Sequence, residues 1–92
     1  MAYLISFELA KPEDNYNDFH KAINKATSFW MKPLPTMYLV KSKLNSRELY
    51  EKLIVKLTKY DRLFVIEVDS WPAAYIDGDV ANELENLFDK QD

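Results

Sequence analysis

The 92-residue sequence contains no cysteine, a single glycine and a single histidine. Without cysteine there are no disulfides, no thiolate metal sites and no cysteine nucleophile. One glycine, Gly78, cannot build a glycine-rich phosphate loop. A lone histidine, His20, cannot assemble a histidine metal cluster, and no serine stands in a recognisable nucleophile motif. Long hydrophobic runs are also missing: none approaches the ~18 apolar residues that span a bilayer. The chain opens Met1, Ala2, Tyr3, with no basic stretch before an apolar one, so no signal peptide is read there. The expectation is a soluble, cytoplasmic protein with no membrane partner.

What is present suits one small globular domain. Hydrophobic residues make up 48% and charged residues 29%, the range of ordinary soluble domains, and a chain this short supports one core. The net charge of −3 argues against a protein held to nucleic acid by a general positive field. Its distribution is uneven. Residues 1–62 carry eleven of the twelve basic groups against seven acids, a net of +4, whereas residues 63–92 carry Lys90 against eight acids, a net of −7. Two readings follow. Either the body binds an anion that the acidic tail screens or mimics, or the tail is a solvated C-terminal helix.

Residues 2–9 alternate, with Tyr3, Ile5, Phe7 and Leu9 on one face and Leu4, Ser6 and Glu8 on the other, which predicts an interior strand. A polar loop follows. Residues 15–27 predict a helix whose buried stripe is Tyr16, Phe19, Ile23 and Ala26, flanked by His20. Residues 28–31 predict a second strand, ended by Pro33 and Pro35, and residues 36–41 a third. Asn45 followed by Glu48 resembles a capping box for a second helix closing at Tyr60 and Asp61. Its apolar face is Leu49, Tyr50, Leu53, Ile54 and Leu57, and Lys52, Lys56 and Lys59 line another. Residues 63–68 predict a fourth strand, with only Glu67 interrupting an apolar run. Beyond it, Pro72 limits residues 73–76 to a sheet edge, Asp77, Gly78 and Asp79 signal a turn, and Val80, Leu84, Leu87 and Phe88 form the stripe of a last helix.

The order β-α-β-β-α-β predicts an α+β, ferredoxin-like domain over residues 1–92: a core at 2–68 and a C-terminal extension, edge segment and helix, at 69–92. Right-handed crossovers place the first and third strands centrally in an antiparallel sheet with both main helices on one face. The other face is left bare. With Leu4 on it and Phe29 or Trp30 nearby, it predicts a homodimer surface. The pair is expected to form through that face, by edge pairing of the fourth strand, or by exchange of the segment around Ala73 to Ile76, which includes Tyr75. The competing expectation is that the last helix covers this face within one chain.

The run Tyr3, Leu4, Ile5, Ser6, Phe7, Glu8, Leu9, followed by Lys11 and Pro12, resembles the opening of the small SinR-type proteins. Trp30, the Tyr38, Leu39, Val40 strand, and the segment at residues 61–68 that begins Asp61, Arg62, Leu63 are similar to later parts of the same family. The resemblance covers residues 2–68. That family in turn resembles the ferredoxin-fold subunit of the CRISPR spacer-integration complex and, more remotely, VapD-type toxin ribonucleases. The resemblance implies a homodimer with a nucleic-acid role, either a metal-dependent nuclease using an acid at the end of the first strand or a non-catalytic scaffold. It selects Glu8, which stands where relatives carry Asp.

Two copies of Glu8 in a symmetric dimer can hold Mg²⁺ or Mn²⁺, and such an ion can polarise a phosphodiester or activate water. Asp61, just before the fourth strand, is the candidate second acid. The plainer reading of Glu8 is a polar strand end. His20 is read as a packed ring with one wet nitrogen, or as a proton shuttle. Lys41, Lys43, Arg47, Lys52, Lys56 and Lys59 are candidate phosphate contacts. Glu48 to Lys52 and Arg47 to Glu51, however, have the i,i+4 spacing of a solvated, ion-paired helix face. Trp30, Trp71, Tyr38 and Tyr75 suit base stacking or a dimer seam. Against the nucleic-acid role stands a non-enzymatic protein-interaction module acting through its dimer surface or acidic tail.

Overall fold

A computed structural model of the chain describes residues 1–11 and 16–69. Its elements are β1 (Ala2–Glu8), α1 (Asn17–Ala26), β2 (Phe29–Leu34), β3 (Met37–Lys41), α2 (Ser46–Ile54) and β4 (Arg62–Val68). The four strands form one antiparallel sheet in the order β2-β3-β1-β4. This is the expected ferredoxin-like α+β arrangement, with the first and third strands central. The predicted edge segment at 73–76 and the last helix lie outside the described residues. No helix is long and apolar enough to cross a membrane, among the described residues.

The core follows from the pleat. Tyr3 pairs with Val40 and Ile5 with Tyr38 on one side of β1, and Ile5 with Val65 and Phe7 with Leu63 on the other. Residues opposite each other share a face, so these side chains form one apolar surface. Phe19 and Ile23 of α1 and Leu49 and Leu53 of α2 close over it. Each fully buried side chain of this kind contributes about 1.5–3 kcal/mol relative to exposure. Tyr3 is buried to the root, and its hydroxyl escapes unsatisfied burial by donating to the Leu44 carbonyl at 2.8 Å.

Asn45 caps α2 as expected. Its side chain accepts the Glu48 amide at 2.8 Å, and the Glu48 carboxylate accepts the Asn45 amide at 3.0 Å. The predicted length of this helix is corrected: it ends at Ile54, not at Tyr60 and Asp61. The Thr58 amide, which a continuing helix would direct to the Ile54 carbonyl, donates instead to Asp61 Oδ2 at 2.8 Å. The Lys56 and Leu57 amides close tighter turns onto Leu53 and Ile54. Lys56 and Lys59 therefore do not line a helix face with Lys52.

The second strand is also corrected. It does not stop before Pro33 but runs through it to Leu34, and a two-residue turn at Pro35 and Thr36 returns the chain into β3. The strand is outermost in the sheet, where a missing amide donor is tolerated. The pairing register shifts between Met31 and Leu34 to accommodate it.

The face away from the helices carries Leu4, Ser6 and Glu8 of β1, with Leu39 and Met37 of β3 and Ile66, Phe64 and Arg62 of β4 opposite them. It is not uniformly bare. Met31 and Leu39 are only 2% and 4% exposed, whereas Phe64 and Ile66 are 68% and 51% exposed. The apolar surface open to solvent on this face is thus concentrated along β4.

Candidate functional site

Glu8, the residue selected by resemblance, is the last residue of β1 and lies on the far face opposite Arg62. The Arg62 Nε lies 3.6 Å from Glu8 Oε1, and both side chains are mostly exposed. Such a pair is worth ~0–1 kcal/mol, so it fixes the carboxylate weakly. An open groove of about 360 Å³ surrounds it, lined by Ser6, Phe7, Thr36 and Phe64 besides the pair.

Asp61 is a different kind of carboxylate. It is buried, and its oxygens accept four hydrogen bonds. Ala10 N–H and the Tyr16 hydroxyl reach Oδ1 at 2.8 and 3.0 Å; Thr58 N–H and Oγ1–H reach Oδ2 at 2.8 and 3.1 Å. Burial alone would raise its pKa, but these donors outweigh it and hold the group below the usual aspartate value. Asp61 ties the end of β1, the start of α1 and the turn before β4 into one corner. It turns toward the helix side while Glu8 faces the other, so the two acids do not form one site. A divalent ion needs several free oxygen ligands. Here one candidate carboxylate is saturated and the other lies beside a guanidinium. Groups of three or more metal-ligating side chains are absent among the described residues. The described residues of a single chain do not bring together the oxygen ligands that Mg²⁺ or Mn²⁺ needs.

His20 packs its ring against Phe7, Phe19 and Tyr38. Its Nδ1 lies 2.6 Å from the Tyr38 hydroxyl oxygen. Burial, then the nearby Lys32 ammonium, lower the His20 pKa, while burial raises that of Tyr38. With the imidazole neutral and the phenol protonated, one of the two groups donates across this contact, and the imidazole tautomer sets which one. The Lys32 ammonium sits 5.5 Å from the Tyr38 ring centroid, and Trp30 packs edge-on to that ring at 5.7 Å. Tyr38 is therefore part of the core and is not available to stack on a base. This pairing escaped sequence reading; the signal was the core-facing parity of Tyr38, directly opposite Ile5.

The two candidates beside Leu4 separate. Phe29 lies opposite Lys41, and Lys41 opposite Ala2, which puts Phe29 on the far face with Leu4. Trp30 pairs with Val40 and so belongs to the helix side of the sheet edge, away from the face that carries Leu4. Tyr75, Ile76 and Trp71 lie outside the described residues.

Of the six basic candidates, Lys41 and Lys43 line one cleft together. Lys41 closes β3. Lys43 and Lys52 line a cleft with Lys25, Arg47 stands beside Tyr50 and Val65, and Lys59 reaches over the Tyr60 ring at 5.2 Å. The expected pairs Glu48–Lys52 and Arg47–Glu51 are not within ion-pair distance. Glu48 is engaged in the capping box instead. Comparison of the chain with protein-family models, with curated proteins and with solved structures finds no match.

Proposed function

We propose that this protein is a non-catalytic interaction module that pairs with a second copy along β4 and the adjoining strip of the far face. The observation that carries this reading is the exposure of Phe64 and Ile66 on an edge strand. Water-exposed aromatic and aliphatic side chains on a strand that is outermost among the described residues favour strand addition. An antiparallel pairing of two β4 strands centred on Val65 sets Phe64 opposite the second copy's Ile66, twice by symmetry. It also keeps the two far faces on one side.

Sedimentation equilibrium of wild type and Phe64→Glu at micromolar concentration tests this. A wild-type dimer that becomes monomeric on substitution is expected. A monomeric wild type, or a dimer indifferent to the change, refutes the reading.

The resemblance to SinR-type proteins supports a second reading, a nucleic-acid scaffold. In favour of it, Lys43, Arg47, Lys52 and Lys56 have no carboxylate within ion-pair distance among the described residues. Mobility shift at low and high salt tests it, since phosphate contacts weaken steeply with salt; no binding at low salt removes it. Cleavage of single-stranded RNA and duplex DNA with Mg²⁺ or Mn²⁺, lost in Glu8→Ala, would revive the nuclease form of that reading.

A further inference from the structure

We infer that the cleft lined by the end of α1, the loop after β3 and Lys52 in the last turn of α2 binds a small amphipathic anion, a medium-chain alkyl carboxylate being the simplest of its class. The cleft has a volume of about 480 Å³, within the size range of small-molecule sites. It lies on the helix side of the sheet, away from β4, and is independent of self-association.

Its chemistry selects the ligand from two directions. Ala22, Ala26 and Leu44 supply an apolar wall, and Lys25, Lys43 and Lys52 bring three ammonium groups from α1, the loop after β3, and α2. No carboxylate lines the cleft among the described residues. None of the three lysines has an ion-pair partner among the described residues. For Lys52 the cause is visible: Glu48, four residues earlier, accepts the Asn45 amide in the capping box. Three like charges around one depression repel one another, and an anion relieves that repulsion. Lysine stems add methylene surface to the wall.

The remaining polar groups do not read a polar ligand body, because they are already bonded inside the protein. Thr27 Oγ1 donates to the Ile23 carbonyl at 2.8 Å, and Ser42 Oγ donates to the Ala26 carbonyl at 2.7 Å while accepting the Leu44 amide at 3.1 Å. Ser28 Oγ donates to the Lys41 carbonyl at 3.3 Å. No aromatic ring lines the cleft among the described residues, so a nucleobase finds no stacking platform there. A charged head with an apolar body satisfies both the rim and the wall.

Amide ¹H–¹⁵N spectra of the full chain, titrated with octanoate, 1-octanol and acetate, separate the contributions of charge and tail. Saturable shifts at residues 22–28, 42–44 and 52 are expected with octanoate, with 1-octanol and acetate binding more weakly by about tenfold or more, the factor each ~1.4 kcal/mol supplies. The triple variant Lys25→Gln, Lys43→Gln, Lys52→Gln should lose octanoate binding. The corresponding arginine variant should retain it, and raised salt should weaken it. These side chains are solvent-facing, and an unchanged amide spectrum elsewhere checks that the variants fold. Equal binding of 1-octanol, shifts centred on Phe64 and Ile66, or undiminished binding by the glutamine variant overturns the assignment.

Discussion

Replacing Asp61 with alanine removes one acceptor group from four donors. The backbone amides of Ala10 and Thr58 and the hydroxyls of Tyr16 and Thr58 all converge on that carboxylate. A hydrogen bond to a charged acceptor contributes ~1.5–3 kcal/mol, and an amide left buried without a partner costs ~1–3 kcal/mol. The hydroxyls can rotate toward water, so the two amides dominate. The expected loss is about 3 kcal/mol, which for a domain of this size lowers Tm by more than ~10 °C. Urea unfolding followed by circular dichroism measures it.

The same carboxylate gives the effect a pH signature. Its folded pKa is lowered relative to the ordinary value of 3.8, so the unfolded chain takes up the proton first as the pH falls. The stabilisation is complete above the unfolded pKa and disappears as the pH drops through the lower, folded value. Asp61→Asn, which keeps the shape and one acceptor oxygen, should flatten the stability profile below about pH 4 while costing less at neutral pH. A loss under ~1 kcal/mol in the alanine variant, or an acid profile identical to that of wild type, would refute the account of Asp61 as a structural acceptor.

Two other perturbations probe the fold. The His20 pKa is lowered, burial being the larger cause and Lys32 the second. Protonation thus favours the unfolded chain, and this group costs stability as the pH falls from about 6.5 toward its folded value; NMR titration of the ring should place the midpoint below 6.5, with Lys32→Gln moving it upward. Asn45→Ala removes half of the capping box and should destabilise the protein by about 1 kcal/mol, read as a lower urea midpoint with an unchanged slope.

Periodicity carried the architecture where one face of an element dominates. The alternation around Tyr3, Ile5 and Phe7 and the spacing of Phe19 with Ile23 and of Leu49 with Leu53 each mark a buried face, and all seven residues meet in the core. Periodicity failed where a tertiary contact overrides local preference. The apolar residues Ile54 and Leu57 extend the helical pattern past the true end of α2, but Asp61 captures the Thr58 amide and turns the chain. Pro33 looks like a terminator until its strand proves to be outermost. Site reading suffered in the same way. Residue type made Glu8, Asp61 and Tyr38 look alike as functional candidates. Only their surroundings distinguish an exposed acid beside Arg62, an acid saturated by donors, and a phenol held in the core by His20.

The proline inside β2 also makes the two margins of the sheet unequal. Pro33 cannot present an amide, and the adjacent register shift bends the ladder. Among the described residues, β4 at the opposite margin contains no proline, so each of its residues carries an amide. On the proposed pairing through β4, a chain that accepts a neighbour on one flank alone would close into a pair and would not propagate into a filament.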